Sequence, residues 1–182
     1  MKSVIVESAS VQAGGRVLEF RRRLNAPPQQ VWAALTEPEK VRQWYALTDD
    51  YPAVGQKAKY LFENSNTTVE VTFTRAKRPS VLEYTWDSQT PEQSPVSLVG
   101  SVIRFELEAH EGGSLLTLDH IFQSDEVSVP DVLGGWDIHL DELADRLHQG
   151  FSEKTNQLSS NFLARCNVQS AAFARALAMD RA

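Results

Sequence analysis

The side chains that could carry out chemistry in this sequence are few and widely spaced. The four histidines stand at positions 110, 120, 139 and 148, with neither the HxH nor the HxxxH spacing typical of a zinc site. The single cysteine, Cys166, excludes a disulfide within the chain and paired-thiolate metal sites. Ser114 follows two glycines, but this stretch is typical of a hairpin turn. We therefore expect no metal centre and no nucleophilic active site.

The common enzyme and cofactor motifs are also absent from the sequence. It contains no GxSxG nucleophile elbow, no GxGxxG dinucleotide fingerprint and no phosphate-binding Walker loop. No motif therefore indicates a particular reaction, so the chemistry stays open, and we expect no cofactor.

The overall charge and hydropathy of the chain exclude several classes of protein. The net charge of −6 over 182 residues argues against nucleic-acid binding, which depends on clustered basic residues. No run approaches the roughly 18 apolar residues that span a membrane. The first apolar run, residues 4–6, is too short for a signal peptide, so the expected location is the cytoplasm.

Apolar residues recur every second position through most of the chain, which predicts antiparallel strands with one dry face. A weak strand is expected over 4–11 and a core strand over 16–24. From residue 57 onward, alternating segments predict further strands, giving five to seven in total. Residues 110–114 are expected to form a hairpin turn.

Three helical segments interrupt or follow the strands. Pro28 begins a short helix, and Thr36 is expected to cap a second one that carries Trp44 and Tyr45. After a polar loop over 123–130, Gly134 and Gly135 lead into a long amphipathic helix. Its apolar stripe is Trp136, Leu140, Leu143 and Leu147. Its solvated side is expected to include Asp137, and Glu142 paired with Arg146.

Three polar residues fall on apolar faces and are candidates for binding. Arg22 shares its face with Leu18 and Phe20, so it needs either a partner in the chain or a ligand carboxylate. A register slip of one residue would place it in solvent instead. His120 and His139 could anchor a ligand, but we favour the simpler interpretation that each histidine is hydrogen-bonded to a protein neighbour.

The order of these elements resembles a known family. The motifs are Asn25-Ala26-Pro27-Pro28 followed by Val31-Trp32, then Trp44-Tyr45, and finally the Gly135-Trp136 helix. They are similar to the bacterial branch of proteins related to the heat-shock protein 90 ATPase activator, within the START-like, or SRPBCC, helix-grip superfamily. The resemblance covers about residues 16–149.

The resemblance implies an α+β helix-grip fold. In this fold a curved antiparallel sheet wraps a long C-terminal helix, and two short helices follow the first core strand. The space between sheet and helix is commonly a hydrophobic cavity. The implied function is binding of a small hydrophobic or aromatic ligand in that cavity. The expected contacts are Arg22, Trp44, Tyr60, Phe62, Phe73, Tyr84, Trp86, Phe105, His120, Phe122, Trp136, His139, Leu140 and Leu143.

Two other functions and one simpler explanation remain open. The same cavity could serve a cyclase- or hydrolase-like enzyme, or the chain could stimulate a chaperone ATPase. Trp86 and Trp136 could stack on a ligand ring, but large aromatic residues at core spacing are more often ordinary core. We expect residues 1–150 to form the helix-grip domain. Residues 151–182, with Phe162, Leu163, Phe173 and Leu177 as main apolar side chains, are expected to be a helical or partly disordered extension, compatible with a homodimer.

Overall fold

The computed structural model describes residues 6–11, 17–90, 98–123, 129–152 and 162–179. Its elements are β1 Val6–Val11, β2 Val17–Leu24, α1 Pro28–Thr36, α2 Pro38–Val41, β3 Lys57–Phe62, β4 Thr67–Lys77, β5 Val81–Thr90, β6 Val102–His110, β7 Gly113–Ile121, α3 Val129–Gln149 and α4 Phe162–Met179. Residues 4 and 5 of the predicted first strand, and the side chains of Phe162, Leu163, Phe173 and Leu177, lie outside the described residues.

The seven strands form one curved antiparallel sheet in the order β1-β2-β7-β6-β5-β4-β3. The predicted alternation is confirmed on its central strands. In β7, Leu116, Leu118 and His120 are buried, while the residues between them are half-buried. Register pairs Phe20 of β2 and Phe105 of β6 with Leu118, so three neighbouring strands present one continuous apolar face.

A two-residue turn connects β6 to β7, as the glycine pattern predicts. His110 pairs with Gly113, and both residues between them have positive φ: 45° at Glu111 and 83° at Gly112. Positive φ at both central positions matches the right-handed twist of the two strands. The turn therefore fixes the register that places His120 on the dry face.

The two short helices follow β2 as expected, although their ends differ from the prediction. Val31, Trp32 and Leu35 of α1 are buried. The expectation that Thr36 caps the second helix is wrong, because its hydroxyl donates to the Trp32 carbonyl oxygen at 2.7 Å. α2 is only four residues long. Trp44 and Tyr45 therefore lie beyond its end, in the segment that leads towards β3.

The long helix α3 lies against the dry face of the sheet but begins earlier than predicted. Trp136, Leu140 and Leu143 are buried, which confirms the apolar stripe. Pro130 lies inside the first turn, where its missing N–H costs nothing. Residues 129 and 130, which were predicted as the end of the loop, belong to α3. Gly134 and Gly135 lie within this helix, whereas they were predicted to precede it.

The C-terminal helix α4 packs antiparallel along the outer side of α3. Arg165 donates to Glu142 at 2.7 Å, and Gln169 donates to Asp137 at 2.7 Å. The predictions that Asp137 and Glu142 are solvated, and that Glu142 pairs with Arg146, are therefore wrong, because α4 covers this side of α3. No helix in the described ranges has the length and hydropathy needed to cross a membrane.

Candidate functional site

The space between the sheet and α3 holds a continuous set of side-chain rings. Strands β3 to β7 supply rings from the sheet, α3 supplies rings from the opposite side, and the segment after α2 inserts two more. Neighbouring centroids lie between 4.3 and 6.5 Å apart. We call this set the aromatic interior. Its members are Trp44, Tyr45, Tyr60, Phe62, Phe73, Tyr84, Trp86, Phe105, His120, Phe122, Trp136 and His139.

Tyr45 stands in the middle of the aromatic interior. Its ring stacks on the Trp136 indole, with centroids 5.3 Å apart and planes 13° from parallel. The rings of Phe62 and Tyr60 meet it edge-on at 5.1 and 5.6 Å. The imidazole of His139 also approaches edge-on, at 5.1 Å. Stacked and edge-to-face pairs are the favourable aromatic geometries. The Tyr45 ring is therefore held by contacts from both the sheet and α3.

A pair of buried phenolic hydroxyls lies within this apolar surrounding. The Tyr84 hydroxyl donates to the Tyr45 hydroxyl at 3.1 Å. This bond uses only one of the two phenolic hydrogens, and the described residues offer neither hydroxyl a second hydrogen-bond partner. Burial raises the pKa of both phenols above their usual range, so both are neutral. The pair can therefore still bond a neutral oxygen.

His120 is fully buried and lies in the middle of a hydrogen-bonded chain that runs from Trp136 to Ser101. The Trp136 indole nitrogen donates to its Nδ1 at 2.9 Å, and its Nε2 lies 2.9 Å from the Ser101 hydroxyl. An indole N–H can only donate, so Nδ1 holds the lone pair and Nε2 carries the proton. His120 therefore donates to Ser101 rather than accepting its proton. This arrangement cannot activate the serine as a nucleophile.

His139 is buried on the flank of α3 that faces the segment after α2. Its Nδ1 lies 2.8 Å from the Trp44 carbonyl oxygen, which only accepts, so Nδ1 carries the proton. Burial lowers the pKa of His139 to about 4 and that of His120 to about 3. Both imidazoles are neutral at pH 7, and each donates a hydrogen bond from one ring nitrogen to an oxygen of the protein.

Arg22 is buried on the dry face, but its charge is balanced within the chain. Its guanidinium bonds Asp137 of α3, and Gln169 of α4 bonds the other oxygen of that carboxylate at 2.7 Å. A second guanidinium nitrogen donates to the Arg21 carbonyl oxygen at 3.1 Å. The network joins β2, α3 and α4. The buried charge of Arg22 therefore has its partner within the chain, and it does not need a ligand carboxylate.

The structure brings most of the predicted contacts together. Every predicted aromatic and histidine contact belongs to the aromatic interior. Leu140 and Leu143 are buried in the same core. Arg22 has no ring contact among the described residues and bonds the outer side of α3 instead. Ser114 donates to the Ala26 carbonyl oxygen at 2.6 Å, which connects β7 to the start of α1. Among the described residues, no three His, Cys, Asp or Glu side chains cluster as metal ligands would.

Sequence reasoning missed four residues that complete the site. Tyr45 was expected, together with Trp44, to pack a short helix over the cavity entrance, and not to lie within the interior. Ser101 precedes β6 and carries no sequence signal. Asp137 was expected on the solvated side of its helix, and no contact was predicted for Gln169 in the C-terminal extension. Only the docking of α4 on α3 brings the two side chains together.

Comparison with known families identifies the core of this fold. A family model described as Activator of Hsp90 ATPase homolog 1-like protein matches residues 25–148, from just before α1 to the end of α3. No functionally curated protein matches the chain in sequence.

Solved structures share the fold at low sequence identity. CalU16 from Micromonospora echinospora is similar with a TM-score of 0.68 and 19% identity, over 98% of each chain. The Aha1 dimer from Colwellia psychrerythraea has a TM-score of 0.63 and 20% identity, over 75% of this chain and 98% of that one. DynU16, a protein of the dynemicin biosynthetic locus, has a TM-score of 0.67 and 19% identity, over 79% of this chain and 50% of its own.

Proposed function

The chain belongs to the family of Activator of Hsp90 ATPase homolog 1-like proteins, and within that fold we propose that it binds a small hydrophobic or aromatic ligand between the sheet and α3. The observation that carries the proposal is the buried hydroxyl pair of Tyr45 and Tyr84, surrounded by rings. Ligand sites are mostly apolar, with a few polar groups that fix orientation. A hydroxyl pair with unused bonding capacity is such a group.

The chemistry of the interior favours binding over a reaction. The protonated nitrogen of His120 faces Ser101, and His139 donates to a backbone oxygen. Neither imidazole is placed to remove a proton from the serine hydroxyl. The biosynthetic locus of DynU16 gives further support for a small-molecule ligand.

Thermal unfolding with a compound panel tests the proposal. The panel contains lipids, aromatic polyketides and flavonoid-like compounds. A ligand present at 100 times its Kd adds about 2.7 kcal/mol to the free energy of unfolding, because it binds only the native state. For a domain of this size we expect Tm to rise by about 5–10 °C with at least one class. Unchanged Tm values across the panel would contradict the proposal.

A matched pair of variants locates the binding. Tyr84→Phe deletes the buried hydroxyl, so it should reduce the Tm shift given by ligands that carry oxygen. Tyr51→Phe deletes the same group from a side chain that is 58% exposed, and should leave the shift unchanged. Equal effects of the two variants would place the ligand elsewhere.

The description of the matched family favours a second candidate, stimulation of a chaperone ATPase. Adding the purified chain to purified Hsp90 and measuring the rate of ATP hydrolysis tests this candidate. An unchanged rate removes it, and a raised rate together with unchanged thermal unfolding would replace the first proposal.

A further inference from the structure

We infer that the Tyr45 side chain fills the place of the ligand: a planar aromatic molecule with a hydroxyl or carbonyl oxygen would take the position of its phenol, and binding would turn this side chain out. The inference rests on the proposed function. It names where in the interior the ligand would lie and which class of molecule fits there.

Four of the five rings around Tyr45 belong to regular elements, whereas Tyr45 itself and the stacked Trp44 ring, with centroids 5.2 Å apart, do not. Tyr60 and Phe62 stand on β3, and Trp136 and His139 stand on α3. We call these four residues the ring box. The sheet and α3 therefore form the box, and a connecting segment supplies the ring inside it.

The segment that carries Tyr45 is fastened through its backbone on both sides of this residue. The carbonyl oxygen of Trp44 accepts from His139 at 2.8 Å. Leu47 exchanges two backbone hydrogen bonds with Leu61 of β3, at 3.0 and 2.9 Å. The Tyr45 side chain can thus leave the box by rotating about its own bonds, while its backbone keeps these attachments.

The chemistry of the box defines the replacement. Stacking on Trp136 at 13° requires a flat ring, and the edge contacts of Phe62 and Tyr60 are suited to aromatic faces. The Tyr84 hydroxyl requires an oxygen at the far end of that ring. A carboxylate would lose its hydration in this buried place, as would a phenolate. A neutral phenol or aryl ketone meets all three demands.

If Tyr45 fills the site, it competes with the ligand. The apparent Kd then equals the intrinsic Kd divided by the fraction of molecules in which the box is open. Removing the competitor must strengthen binding. If Tyr45 were instead a wall of the site, removing it would weaken binding, and a ligand bound elsewhere would not respond. The direction in which the Kd changes when the Tyr45 side chain is removed therefore decides between these three arrangements.

Calorimetric titration of the full chain with 2-naphthol, and with naphthalene as the probe lacking oxygen, measures that sign. We expect Tyr45→Ala to lower the Kd for 2-naphthol at least about tenfold relative to wild type. Tyr45→Phe keeps the ring but leaves the Tyr84 hydroxyl without its hydrogen-bond partner. It should therefore lower the Kd for 2-naphthol by about fivefold. The preference for 2-naphthol over naphthalene should disappear when Tyr84→Phe is added to either variant.

A control variant separates this effect from a general loosening of the core. Leu116→Ala removes a buried core side chain of β7 that lies outside the aromatic interior and pairs with Leu107 of β6, and it should leave the Kd unchanged. If Tyr45→Ala does not fold, Tyr45→Phe still shows whether the Kd for 2-naphthol falls or rises.

The two proposals fail in different ways. Unchanged or weaker 2-naphthol binding in the Tyr45 variants overturns the inference, even where wild type binds another panel compound. If wild type binds no compound and a Tyr45 variant binds 2-naphthol, the proposed function fails and the assignment of the box is supported. If no protein binds 2-naphthol, the inference is overturned.

Discussion

At the scale of single residues, most buried polar side-chain atoms of the described residues have a specific hydrogen-bond partner; Arg22 Nε and His110 Nε2 are exceptions. His120 illustrates the consequence. Because the Trp136 indole occupies one ring nitrogen, the other must carry the proton, and a Ser–His pair that could suggest catalysis cannot perform it. The direction of the hydrogen bonds, and not the presence of the two residue types, decides the chemistry.

Arg22 provides a prediction at this scale. Arg22→Ala leaves the Asp137 carboxylate buried without its counter-charge, and we expect a loss of about 3–5 kcal/mol in the free energy of unfolding. Arg21→Ala, at a half-exposed neighbour paired with Glu19, should change it by less than about 1 kcal/mol. Urea unfolding measures both. Similar losses in the two variants would show that burial of the ion pair is not the cause.

The double variant Arg22→Met with Asp137→Leu separates the cost of an unpaired charge from the value of the pair. Apolar replacement of both partners is often neutral or stabilising. We expect it to recover most of the stability lost in Arg22→Ala. A double variant no more stable than Arg22→Ala would mean that the pair itself stabilises the fold.

At the scale of elements, α4 is attached to α3 at one point of very close approach. A Cβ atom at Gly134 would lie 2.4 Å from the Ser170 hydroxyl oxygen and 2.9 Å from the Cys166 carbonyl oxygen. Contacts this short force the backbone of α4 to move. Gly134 is therefore required by the partner helix rather than by α3 itself.

Two adjacent alanine substitutions test this attachment. Gly134→Ala should destabilise the protein by about 1–3 kcal/mol, because α4 must shift and strain its bonds to Asp137 and Glu142. At Gly135 the added methyl would meet nothing within 4 Å. Gly135→Ala should therefore stabilise by up to about 1 kcal/mol through helix propensity. The two variants should move the urea midpoint in opposite directions, and a shift of the same sign would refute the close packing.

At the scale of the whole molecule, two neutral histidines inside one core make stability depend on pH. Burial holds the native pKa of His120 at about 3 and that of His139 at about 4. In the unfolded chain both titrate near pH 6.5. Below that pH the unfolded state binds two protons that the native state excludes, so stability is complete above about pH 6.5 and is lost as pH falls.

From pH 7 to pH 5.5 we expect the free energy of unfolding to fall by about 2 kcal/mol. Urea unfolding at both values measures the change. His139→Gln should roughly halve the fall, whereas His148→Gln, at an exposed position, should leave it unchanged. A pH-independent free energy of unfolding over this range would show that the buried imidazoles become protonated without cost.

The alternation of apolar residues determined the strands and their dry face, because neighbouring side chains of a strand point to opposite sides whatever the strand packs against. The stripe of Trp136, Leu140 and Leu143 determined the inner face of α3 in the same way. These local periodicities predicted the strands and the helix, and the resemblance of their order to a known family implied the helix-grip arrangement.

Only the tertiary structure decided which polar groups meet. Arg22 and Asp137 are 115 residues apart, and Gln169 reaches the same carboxylate because α4 docks on α3. The place of Tyr45 among rings of β3 and α3 likewise depends on where the segment after α2 returns to the sheet. Such partners are set by the packing of distant elements, and no short-range pattern along the chain encodes them.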